Sequence, residues 1–217
     1  MKRPVVLNLV LAVAVAVLAI RLAVVEKAAV AGTATVPTDS VSGAPSGDFE
    51  SFDVTELFDH NPFGYFRGHG LLLAAGDSTS SNAMTIGWGA LGTLWGKPAV
   101  TVYVRKSRYT HEFMERGQYF TVMRFADNRV VDYMGTHSGR DGDKAAALGL
   151  HVAYTEHGAP YYTEAVEVIE CRTMCVTILT DDTFRSDAPK EAYANDEDST
   201  DRHSQYIGEV VGAMRRK

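Results

Sequence analysis

The stretch Ala99-Val-Thr-Val-Tyr-Val-Arg-Lys-Ser-Arg-Tyr-Thr110, continuing His-Glu-Phe-Met-Glu-Arg-Gly117, decides how this chain is read. Residues 99–104 are dense in β-branched and aromatic side chains, which suit a pleated, half-buried surface, and predict a strand. Thr110 offers a side-chain cap and Gly117 a stop, so a helix is expected over 109–116. At the junction stand Arg105, Lys106, Ser107, Arg108, Tyr109 and Thr110. Cations and hydroxyls beside a helix amino terminus favour a phosphate, because the free N–H groups and the helix dipole both attract a dianion. A charged hairpin end would use the same residues, so the pattern alone leaves both readings open.

Outward from this junction the same signals recur. Apolar or β-branched runs predict strands near 71–75, 85–88, 119–125, 165–178 and 206–214. Gly142–Leu148 suits a short helix stopped by Gly149, Asn61-Pro62-Phe63-Gly64 reads as a turn, and Phe49–Phe58 as a short lead-in. Six or so strands with two or three short helices predict a mainly β fold, a barrel or sandwich with short helical inserts.

Two further segments carry possible chemistry. In Asn82-Ala83-Met84-Thr85-Ile86-Gly87-Trp88-Gly89 the small residues would let a flat ligand approach the backbone, although a plain strand and turn explains them equally. Ser138-Gly139-Arg140-Asp141-Gly142-Asp143-Lys144 is polar and helix-initiating. It either supplies cations to a ligand or is a capped surface turn.

Composition excludes several classes. The chain has 217 residues with 46% hydrophobic and 22% charged residues, enough for a packed core. A net charge of −6 argues against a nucleic-acid binder, which needs a basic face to displace counterions. The two cysteines, Cys171 and Cys175, rule out a disulfide framework. On one strand they would stand roughly 13 Å apart, too far to bond. No Gly-x-Ser-x-Gly elbow, metalloprotease histidine pair or Gly-x-Gly-x-x-Gly fingerprint is present. Asp181–Asp201 holds eight acids against Arg185 and Lys190 and reads as a solvated excursion. Among the histidines, His203 stands out by its place just before Tyr206-Ile207-Gly208-Glu209-Val210.

The first 47 residues are a different object. They carry four basic against two acidic residues, net +2, which leaves −8 on the rest. Lys2 and Arg3 precede Val5–Ile20, whose only polar residue is Asn8. A basic start before an apolar run is the pattern of a membrane anchor or a cleaved export signal, with Ala29-Val30-Ala31 as a small-x-small cleavage site. Either places the bulk of the protein on the outer side; a start site set too far upstream would make it cytoplasmic. Residues 1–31 are therefore expected to form an apolar helix, 32–47 a flexible tether, and 48–217 the folded domain.

Taken together, the motifs resemble the flavin reductase-like family, the FMN-binding split β-barrel, and within it the flavoredoxin type. The resemblance covers about residues 49–214. It rests on Asn82–Pro98, on Val102-Tyr-Val-Arg-Lys-Ser-Arg-Tyr-Thr-His-Glu-Phe-Met114, and on Ser138–Lys144. Gly158-Ala159-Pro160, Glu170-Cys171-Arg172 and His203–Val210 extend it. It implies non-covalent FMN at a homodimer interface, with NAD(P)H or a protein as electron donor. Carried over by position, Asn82, Ala83, Met84 and Thr85 would run along the ring edge. Arg105, Ser107, Arg108, Tyr109 and Thr110 would hold the phosphate and ribityl chain. Ser138, Arg140 and Lys144 would complete the site, and Trp95 is a candidate to cover the ring. Met174–Leu179 departs from the family pattern, so the resemblance names neither donor nor acceptor. A non-catalytic FMN carrier and a small-ligand barrel stand as alternatives to an FMN-dependent oxidoreductase.

Overall fold

The computed structural model describes residues 47–59, 62–66, 69–194 and 200–217. The expected apolar amino-terminal helix, and all of the tether except Gly47, lie outside these residues. Among the described residues no helix is long and apolar enough to cross a membrane.

Ten strands carry the fold: β1 Phe49–Ser51, β2 Leu71–Gly76, β3 Ser81–Ile86, β4 Gly89–Leu94, β5 Lys97–Arg105, β6 Tyr119–Arg124, β7 Val152–Tyr154, β8 Pro160–Tyr162, β9 Glu167–Ile178 and β10 His203–Arg216. The helices are α1 Pro62–Phe66, α2 Tyr109–Arg116, α3 Asn128–Thr136, α4 Lys144–Leu148 and α5 Ala188–Ala194, with 3-10 turns at Val54–Asp59 and Asp181–Thr183. One antiparallel sheet has the order β3-β2-β6-β9-β10-β5-β4, with β1 added to β10; β7 and β8 form a separate hairpin.

This order forces a curl. The two ends of the strand path, β3 and β4, are consecutive in the chain and separated only by Gly87 and Trp88. The sheet must therefore bend round until its edges nearly meet, without pairing them. The mainly β fold with short helices expected from the sequence is present, as an open sheet whose two edge strands do not pair. α1 packs at the seam. A Cβ on Gly89 would stand 2.2 Å from the Phe66 ring, so glycine is what lets that ring close in.

Two apolar cores lie on the two faces of the sheet. Leu71, Leu73, Ala75, Val100, Val102, Val104, Phe120, Val122 and Tyr206 fill the barrel interior. Leu72, Ala74, Ala83, Met123 and Val168 face outward, where Val131 and Met134 of α3 cover them. β2 is thus buried on both faces, which is why it reads as a continuous apolar run instead of an alternating one. Each fully buried aliphatic side chain contributes about 1.5–3 kcal/mol.

Several local expectations need correction. Of the turn expected at 61–64, Asn61 lies outside the described residues, and the rest is the start of a short helix from Pro62, which tolerates the first helical position because its missing N–H has no partner there. Thr110 does not cap α2. Arg108 is the N-cap residue, with no side-chain cap bond, and Thr110 lies buried inside the helix. α3 and β4 were not expected. Strand β3 runs over 81–86 and not 85–88, because Gly87 ends it. Gly149 does close α4, at φ +65°, in the left-handed region that glycine tolerates.

Candidate functional site

β3 is an edge strand, paired only with β2, so alternate N–H and C=O groups along its outer side have no strand partner. Its first residues meet the amino end of α2. The Asn82 Nδ2 amide donates to Thr110 Oγ1 at 2.7 Å. The 138–144 loop closes on the same corner. Gly139 lies so near that a Cβ there would meet Asn82 Oδ1 at 2.1 Å and the Tyr109 ring at 3.1 Å.

The cations of this corner differ in what they hold. Arg140 is a brace: it donates to the Ser107 carbonyl at 3.0 Å and to Glu112 Oε1 at 2.5 Å, and its guanidinium lies 4.9 Å over the Tyr109 ring. Lys144 is buried, and its ammonium donates to the Ala83 carbonyl at 2.7 Å and the Met134 carbonyl at 3.1 Å. Burial, and then the nearby Arg108 guanidinium, pull its pKa down to about 8. Arg108 is exposed, and its guanidinium has no hydrogen-bond or carboxylate partner among the described residues. The backbone N–H groups of Tyr109 and Thr110 likewise find no backbone acceptor among them. An anion here would meet one open guanidinium and the unpaired N–H groups of a helix start.

Ser107 is already engaged. Its N–H donates to Asp201 Oδ1 at 3.1 Å and its hydroxyl to Asp201 Oδ2 at 2.5 Å. Ser138 lies in the loop turn, where its hydroxyl accepts from the Arg140 N–H at 3.2 Å. Ala83 is buried, Met84 packs against the barrel core, and Thr85 donates to the Val131 carbonyl at 2.5 Å. Those three side chains face the protein; only their backbone edge is open to a ligand. Loop 138–144 is both things the sequence allowed, a capped turn closed by Asp143 on the Ala146 N–H and a source of cations.

Beyond the corner, β3 leads through Gly87 to an aromatic cavity of about 1080 Å³. Trp88, Tyr103, Phe184 and Tyr193 line it, with Phe66, Leu91 and Leu179. Trp88 lies against His203 with centroids 4.7 Å apart and the rings tilted by 35°, and the Tyr193 hydroxyl bonds His203 Nδ1 at 2.7 Å. Arg105 turns toward this side, its guanidinium 5.3 Å over the Tyr193 ring. The structure therefore gathers Asn82, Ser107, Arg108, Tyr109, Thr110, Ser138, Arg140 and Lys144 at one corner and sets Arg105 against Tyr193, a residue of the cavity lining. Trp95 is at neither place. It is 69% exposed at the tip of the β4–β5 hairpin, roughly 20 Å along the strand from Gly89.

Sequence reasoning missed Tyr193 and Asp201, both inside the acidic stretch. A lone tyrosine between Ala192 and Ala194 in that polar run is the one sign that it folds back. Trp88 and His203 stood in quoted motifs without a role.

A curled antiparallel sheet, an edge strand that meets a helix start beside an open guanidinium, and an aromatic cavity are the features that a relative has to match. Residues 64–217 match the family described as the flavin reductase like domain, and the chain belongs to that family. It is similar to the flavoredoxin of Desulfovibrio vulgaris (Miyazaki F), with 26% identity, 66% of this chain and 67% of that one covered, and a TM-score of 0.50. It shares its fold with an FMN-binding domain of a flavin reductases-like enzyme from Shewanella baltica OS155, at 18% identity, 77% of each chain and a TM-score of 0.54. It also shares it with an NADH:FAD oxidoreductase from Streptomyces globisporus C-1027, at 20% identity, 68% and 78% coverage and a TM-score of 0.50. No curated protein is significantly similar to it in sequence.

Proposed function

We propose that this protein is an FMN-dependent oxidoreductase of the flavin reductase or flavoredoxin kind, accepting hydride or electrons from NAD(P)H or a redox protein. One observation carries the reading: the open guanidinium of Arg108 stands at the amino end of α2, which Asn82 ties to the edge strand that leads to the aromatic cavity.

The residues present fit such a cofactor. Arg108 and the N–H groups of Tyr109 and Thr110 would hold its phosphate. Asn82 fixes the start of β3 against α2, and Arg140 braces the loop over Tyr109. Lys144 ties the Ala83 carbonyl to the end of α3 and brings positive charge beneath the strand. Trp88, Tyr103 and Tyr193 form an apolar wall that would exclude water from a planar ring. Bound FMN supplies the two-electron chemistry, so the protein's part is binding, orientation and electrostatics. A nicotinamide donor accords with the fold shared with the Streptomyces globisporus NADH:FAD oxidoreductase.

We extend the same reading to a homodimer and to a domain held at, or exported across, a membrane through residues 1–31. The domain would then stand on the outer side. Light scattering tests the first, and the mass of the mature protein tests whether the segment is retained.

NADH and NADPH consumption by the FMN-loaded protein tests the activity. Turnover with either nicotinamide is expected. FMN binding without any nicotinamide oxidation would leave an electron carrier served by a protein partner. Absence of FMN binding would leave a barrel for another small ligand.

A further inference from the structure

Asp201 takes the Ser107 donors next to the amino end of α2. It lies at the end of the excursion between β9 and β10, and its carboxylate takes both donors of Ser107, the backbone N–H at 3.1 Å and the hydroxyl at 2.5 Å. Ser107 is one residue before Arg108, the N-cap of α2. Its carbonyl is held by Arg140 at 3.0 Å, so every polar group of Ser107 is committed. Neighbouring backbone bonds secure the arrangement: Lys106 N–H donates to the Arg202 carbonyl at 3.4 Å, and the Arg202 guanidinium lies 2.7 Å from Asp181 at the excursion's start.

The corner is therefore asymmetric. On the side of Tyr109 and Thr110 it offers unpaired N–H groups and the Arg108 cation. On the side of Ser107 it presents a fixed negative charge. A phosphate monoester needs only the first side. A pyrophosphate adds a second anionic group that must leave the corner, and the donors adjacent to Arg108 that would receive it are filled by a carboxylate of like charge.

Building on the FMN reading above, we propose that Asp201 is a specificity-determining residue: it closes the phosphate end of the site so that it takes a flavin mononucleotide and rejects a flavin dinucleotide. The selection is by repulsion and by withheld donors, not by a new attractive contact.

The test uses the full chain, stripped of any cofactor and titrated separately with FMN and FAD by quenching of flavin fluorescence. The wild-type protein is expected to bind FMN roughly tenfold or more tighter than FAD, the scale of one like-charge contact near a surface. In Asp201→Asn, which keeps an oxygen to accept from Ser107, the ratio of the two dissociation constants should fall by about fivefold or more, through tighter FAD binding. Asp201→Glu should retain the wild-type preference, and matching thermal midpoints would show that both variants are folded. A ratio in Asp201→Asn that changes by less than this, with FMN still bound, overturns the role of Asp201 and leaves the FMN site standing. Equal wild-type affinity for the two flavins overturns it as well. A wild-type protein that binds neither flavin removes the underlying reading and this proposal together.

Discussion

Asn82 and Thr110, twenty-eight positions apart, are joined by a single hydrogen bond of 2.7 Å from the Asn82 amide to the Thr110 hydroxyl. It fastens the edge strand β3 to the first turn of α2, the two elements that frame the corner proposed for the FMN phosphate. Asn82→Ala should therefore cost about 1 kcal/mol of stability. FMN affinity should weaken severalfold with it, because the strand is no longer registered against the helix. Thermal unfolding and a fluorescence titration measure the two effects. An unchanged affinity would mean that the strand is held by its β2 pairing alone.

Arg108→Ala separates binding from folding. The guanidinium is exposed and without a partner among the described residues, so its loss should leave the melting temperature nearly unchanged. A charge-assisted hydrogen bond to phosphate contributes about 1.5–3 kcal/mol, so FMN should bind about tenfold to a hundredfold more weakly. A drop in stability with no loss of affinity would put the phosphate elsewhere.

Gly139→Ala tests the closeness of the 138–144 loop. The added methyl would stand 2.1 Å from Asn82 Oδ1, so either the loop or the Asn82 side chain must move. Weaker FMN binding is expected, with a modest fall in melting temperature. Wild-type behaviour in both would show that the loop closes less tightly than its geometry here.

Lys144 makes stability depend on pH in a stated direction. Its pKa is lowered from 10.5 to about 8, so between those values the unfolded chain binds the extra proton and the folded one does not. Stability should thus rise as pH increases from about 8, by on the order of 3 kcal/mol at most across the whole interval. Burial raises the pKa of Tyr65, Tyr162 and Tyr206, which reverses the trend above about pH 10, where an unfolded tyrosine begins to ionise. Urea denaturation at pH 8 and pH 9.5 should show the wild type gaining stability relative to Lys144→Met. Parallel curves would mean that the ammonium is better solvated than its burial indicates.

The strand skeleton was legible because its signals are local. β5, α2 and β6 each carry their own periodicity and stop residues, and so appear close to their expected bounds. β4 was not legible: Gly-Ala-Leu-Gly-Thr-Leu has low β-propensity, and only its pairing with β5 makes it a strand. The corner was visible as a cluster of cations beside a helix start. The division of labour within it was not. That Ser107 would be claimed by Asp201, and that Arg105 would lean on Tyr193, depends on where residues 179–194 and 200–202 come to lie against the sheet. Its acidic composition hides the buried Tyr193 that anchors it.

Whether a flavin occupies this corner is measured directly by titrating the purified chain with FMN. Saturable binding is predicted, with one flavin per chain, a perturbed visible absorption band and quenched fluorescence, all reduced together in Arg108→Ala at flavin concentrations that only just saturate the wild type. A protein that stays colourless and leaves the spectrum of added FMN unchanged would contradict it.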